Sequence, residues 1–77
     1  MSYVPAIDTL VAGPCIAGTR ILINHTGMSS MPYSVCEEKG ADSRVRERFV
    51  YVESLERAVL EFADRITTAY RRENNLK

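Results

Sequence analysis

The sequence has no tryptophan, one histidine and two cysteines, and its charges sum to zero. Each shortage closes off a class of function. Two cysteines do not build a disulfide-dense scaffold. With His25 they make three potential zinc ligands at irregular spacing, without a Cys-x-x-Cys pair, where a structural site takes four. No metal or other cofactor is therefore expected. Ten Lys and Arg balance ten Asp and Glu. Proteins that grip nucleic acid nonspecifically carry a surplus of cations, so nucleic acid is not an expected partner. No apolar run approaches the length of about 18 residues that a membrane span requires, and no membrane association is expected. The first ten residues lack a basic n-region, and Gly13 and Pro14 interrupt the apolar stretch that follows. A cytoplasmic location with reduced thiols is the expectation.

Charge is also missing from one half of the chain. Residues 1–36 hold only Asp8 and Arg20, whereas residues 37–77 hold the other eighteen charged side chains. The front half must be largely covered, by the rest of the chain or by a partner, or it would be sticky in water. Seventy-seven residues fit one domain. A chain this short buries only about 60% of its unfolded surface, so its core is thin. Without disulfides or metal, oligomerisation is the expected supplement.

What is present is organised around residues 55–72. Leu55, Ala58, Val59, Phe62, Ala63, Ile66, Ala69 and Tyr70 follow the i, i+3, i+4, i+7 rhythm of an amphipathic helix. Ser54 is placed to cap its start, and Arg71 and Arg72 suit the dipole at its end. Upstream, residues 1–5 read as an arm or short edge strand. Residues 6–12 fit a short strand or one or two helical turns. Gly13 and Pro14 read as a break. Residues 15–24 read as a strand, with Thr19, Ile21 and Ile23 on one face. Residues 26–32 read as a turn. Residues 33–37 read as a returning strand, with Tyr33, Val35 and Glu37 together, so that Cys15 and Cys36 fall on adjacent strands.

Residues 42–53 fit two structures. As a strand, Arg44, Arg46 and Arg48 share a face with Val50 and Val52. As a helix, Val45, Val52, Val59 and Ile66 continue one heptad series, while Arg48, Leu55, Phe62 and Ala69 continue another. Phe49 to Val52 is strand-like in composition. Yet no glycine or proline interrupts residues 41–77, and we favour a continuous helix. At 1.5 Å per residue, residues 44–72 would span about 43 Å. That is more than a hairpin can cover, and the remainder of the stripe calls for a second chain. The expected architecture is α+β: a small antiparallel hairpin or three-stranded sheet packed on one long C-terminal amphipathic helix. A homodimer joined through Val52, Val59, Phe62 and Ile66 is expected.

Few residues suggest chemistry. His25 lies at a turn with no carboxylate spaced to orient it. The loop carrying Thr26, Ser29, Ser30 and Tyr33 concentrates hydroxyls without charge, and such groups can cradle a phosphate or carbonyl. It lacks the Gly-Lys-Ser/Thr of a nucleotide-hydrolase loop. Arg44, Arg46 and Arg48 are the one local cationic cluster, suited to phosphate or carboxylate. The leading expectation is a non-catalytic protein-binding module, an accessory or inhibitory protein acting as a homo-oligomer on a further protein partner. Short, cofactor-free chains of this kind are frequent among viral and mobile-element proteins. The alternative is a binder of a small anionic ligand or nucleotide, using His25, Thr26, Ser29, Ser30 and Tyr33 with Arg44, Arg46 and Arg48. A third reading, a thiol or histidine hydrolase built on Cys36 and His25, has no signature behind it.

Overall fold

A computed structural model of the chain describes residues 6–39 and 45–74. Four strands, β1 (Thr9–Ile16), β2 (Thr19–His25), β3 (Tyr33–Lys39) and β4 (Val45–Val52), precede one helix, α1 (Leu55–Asn74). Each strand pairs antiparallel with its neighbour in sequence, giving the order β1-β2-β3-β4. This is the expected α+β arrangement, with four strands in the sheet. The arm at residues 1–5 lies outside the described residues.

The interior strands carry the apolar alternation. In the β2–β3 register Ile21 faces Glu37, Ile23 faces Val35 and His25 faces Tyr33, which sets these residues on one side of the sheet. The side chains of Ile21, Ile23, Val35 and Val52 form a core with Ala58 of α1, and Tyr33, Phe62 and Ile66 pack around it. Ala58 is fully buried, so the small residue sits where helix and sheet come closest. The helix begins as the capping signal predicts: the Ser54 hydroxyl accepts from the Arg57 N–H at 3.2 Å. Arg71 and Arg72 occupy its last turn.

Three expectations are corrected. Residues 45–52 are the strand β4, not the first turns of a continuous helix. The strand preference of Phe49 to Val52 prevails because β3 offers a full ladder to pair with, from Tyr33↔Val52 to Lys39↔Val45. Residues 15–24 are not one strand. Ala17 and Gly18, with φ of 52° and 80°, make a two-residue hairpin turn between β1 and β2. Gly13 and Pro14 do not end an element but lie within β1, where the register shifts between Ala12 and Cys15. Cys15 and Cys36 consequently sit on β1 and β3 with β2 between them, and both are free thiols.

Glycine 13 permits the helix to approach. A Cβ there would lie 3.0 Å from Cζ of Phe62 and 3.1 Å from Cδ1 of Ile66. Gly13→Val is expected to overpack this contact and destabilise by about 1–3 kcal/mol. Ile23→Ala, at a fully buried position, is expected to cost about 2–5 kcal/mol. Leu60→Ala, at an exposed one, should stay within about 0.5 kcal/mol. Urea unfolding of the three variants measures the order.

Candidate functional site

The arginine cluster is divided by a bulge. Between the pairs Val35↔Val50 and Glu37↔Glu47, β4 holds one residue more than β3. Arg48 sits there with φ of 58°. An extra residue reverses the alternation of side chains beyond it. Val50 and Val52 therefore stay on the α1 side with Glu47, and Arg46 turns to the opposite face. Arg46 and Arg48 do not converge, and Arg44 lies outside the described residues.

On the face away from α1, Arg46 holds together a polar layer. Its Nη1 donates to both carboxylate oxygens of Asp8 at 3.3 Å. Its Nη2 donates to Oγ1 of Thr9 at 3.2 Å. The Thr9 hydroxyl donates to Oδ1 of Asn24 at 3.3 Å, and the Asn24 amide donates to Sγ of Cys36 at 3.2 Å. Nε of Arg46 lies 3.6 Å from the buried Glu38. In a flat sheet β4 and β1 would be roughly 14 Å apart. One side chain spans that distance because the sheet curls, and the bulges in both edge strands favour the curl. Burial opposes charge on Arg46, but Asp8 above all offsets it, and the guanidinium pKa is pushed up. Burial pushes the Cys36 thiol up, against the Asn24 hydrogen bond and Arg46. This layer is a second core, saturated with its own partners.

The loop residues are placed apart from these arginines. Thr26 organises its own turn: its hydroxyl donates to the Met31 carbonyl and accepts from the Met28 N–H at 3.0 Å. Its N–H donates to the Pro32 carbonyl at 3.0 Å. Ser29 and Ser30 are exposed. The rings of His25 and Tyr33 lie 5.7 Å apart. His25 is on the α1 face and Cys36 on the opposite one, so a thiol–imidazole pair is not formed.

The helix supplies the surface that sequence reasoning identified only in part. Of the expected interface residues, Val52 is buried, Phe62 and Ile66 are half-buried against this chain's own sheet, and only Val59 is exposed. The sheet receives Ala58, Phe62, Arg65, Ile66 and Ala69, whereas Leu55, Val59, Ala63 and Tyr70 remain exposed. At 3.6 residues per turn, the contacting face is offset from the apolar stripe by roughly an eighth of a turn. Arg65, with its side chain only 13% exposed, lies inside, while Val59 is 48% exposed. The register of the helix on the sheet sets this offset, and no sequence period reports it. Elsewhere the β4 side chains Phe49 and Tyr51 stand exposed with ring centroids 6.2 Å apart. Among the described residues thirteen large hydrophobic side chains are exposed, against eight hydrophobic residues buried. No described helix is long and apolar enough to cross a membrane.

The two thiols should react differently. Iodoacetamide is expected to modify the exposed Cys15 in the folded protein and Cys36 only on unfolding, read by mass spectrometry. Folding holds the Cys36 pKa above its unfolded value. Its contribution to stability is complete below the ordinary thiol range and is lost as pH rises through the folded value. No protein-family model matches this chain, and no match was found among curated proteins or solved structures.

Proposed function

We propose that the protein is a non-catalytic binding module that works as a homodimer, with α1 of one copy against α1 of another. The observation that carries this reading is the offset of α1: the helix buries Arg65 on its own sheet and leaves Leu55, Val59, Ala63 and Tyr70 in water. The exposed Leu55, Val59, Ala63 and Tyr70 recur at spacings of four and seven, along one flank of the helix.

Charge favours a second copy in antiparallel orientation. With Glu61 and Arg65 paired to each other, residues 55–64 carry Glu56 and Asp64 against Arg57, and residues 65–74 carry Arg71 and Arg72 against Glu73. A two-fold axis across the helix brings the acidic half of each copy to the basic half of the other. It also sets the helix dipoles head to tail. Parallel pairing would oppose like charges. The isologous contact is self-complementary, as a dimer about a two-fold axis requires. The dimer would then present its exposed β4 aromatics, Phe49 and Tyr51, to a further protein.

Native mass spectrometry and sedimentation velocity test this. The wild type is expected to be a dimer. Val59→Asp, which puts a charge at the centre of the seam, is expected to be monomeric with an unchanged circular dichroism spectrum. Phe49→Lys with Tyr51→Lys is expected to remain dimeric. A monomeric wild type, or a dimer lost in the β4 variant and kept in Val59→Asp, overturns the helix pairing.

A further inference from the structure

The other flank of α1 borders a groove of about 410 Å³, walled by its C-terminal half, the β1–β2 turn and the neighbouring ends of β3 and β4. Cavities of ~300–1,000 Å³ are typical of small-molecule sites. The floor is apolar, from Ile16, Ile21 and Ala69, and Thr19 and Thr68 bring hydroxyls to it. Four cations line it, from three elements: Lys39 on β3, Arg48 on β4, and Arg65 and Arg72 on α1.

These cations are incompletely matched. Glu37 is shared between Arg48, at 3.7 Å, and Arg65, at 3.9 Å, both longer than a good hydrogen bond. Nε of Arg65 is held by Glu61 at 2.8 Å, but its Nη1 is buried and has no hydrogen-bond partner. A buried donor left unsatisfied is costly, and more so when it belongs to a charged group. Lys39 reaches Glu47, which is not part of the groove wall, at 3.5 Å. Asp64 and Glu73 also stand on the wall, so the groove combines four cations with three carboxylates. An oxyanion seated between Arg65 and Arg72 would draw on guanidinium charge that Glu37 engages only weakly.

The geometry points to this groove as a binding site for a small organic phosphate, a phosphate monoester whose apolar or sugar portion rests on Ile16, Ile21 and Ala69. Guanidinium, ammonium and threonine donors converging from several elements suit the three-dimensional set of phosphate oxygens better than a planar carboxylate. The site uses the flank of α1 away from Val59. It also differs from the loop and arginine set that the sequence suggested, sharing only Arg48.

Titration followed by ³¹P NMR at low salt, with adenosine monophosphate and inorganic phosphate as probes, tests the site. Both probes are expected to bind the wild type, the monophosphate more tightly. Arg65→Gln and Arg72→Gln are each expected to weaken binding about tenfold, the loss of one charge-assisted hydrogen bond. Arg57→Gln, on the same helix outside the groove, should leave it unchanged. Because Arg65 is largely buried and its variant can fail to fold, the exposed Arg72 position carries the test. Absence of binding by the wild type, undiminished binding in Arg72→Gln, or acetate competing as well as phosphate overturns the proposal.

Discussion

One extra residue in β4 governs much of this molecule. The bulge at Arg48 reverses the side-chain phase along the strand, so even-numbered residues on either side of it serve opposite faces. Val50 and Val52 keep to the side of α1. Arg46 turns to the other side, where it reaches Asp8 and Thr9 across the curled sheet. Arg48 is left beside Glu37 on the wall of the groove. Arg46 and Arg48, alternate residues in sequence, thus become separate devices in space. Arg46 binds the two edges of the sheet together, and Arg48 belongs to a cationic groove.

The sheet consequently has two cores of different chemistry. Against α1 it buries Ile21, Ile23, Val35 and Val52. On the opposite face it buries Leu22 with Asn24, Ser34, Cys36 and Glu38, a mostly polar layer. A polar layer is tolerable only where its groups are paired. The donor chain from Arg46 through Thr9 and Asn24 to Cys36 supplies that pairing. This explains how a chain so short buries both faces of a sheet with only one helix to cover them. It also explains why large apolar side chains are left outside: the second face is closed by an arginine and not by the aromatic and aliphatic residues available.

Helix α1 divides its circumference between three tasks. Ala58, Phe62 and Ile66 face the sheet. Leu55, Val59 and Tyr70 lie to one flank, exposed. Arg65 and Arg72 lie to the other flank, in the groove. The same offset that exposes the apolar flank carries Arg65 inside, so the exposed stripe and the unsatisfied guanidinium have one cause.

The sequence by itself determined the helix, its Ser54 cap, the apolar faces of β2 and β3, and the α+β class, because each rests on a local period or a local hydrogen bond. It also determined that charge would be scarce in the first two strands, which hold only Arg20. The path of residues 45–52 was open, since Val45, Val52, Val59 and Ile66 satisfy a heptad as well as a strand. Only pairing with β3 decided it. The turn at Ala17 and the bulge at Arg48 were hidden because both put an ordinary L-residue at positive φ, a conformation that no residue preference announces. The rotation of α1 on the sheet, the separation of Cys15 from Cys36 and the convergence of Lys39, Arg48, Arg65 and Arg72 were decided by tertiary structure alone. Each depends on how elements distant in sequence settle against one another, and packing, not periodicity, sets that.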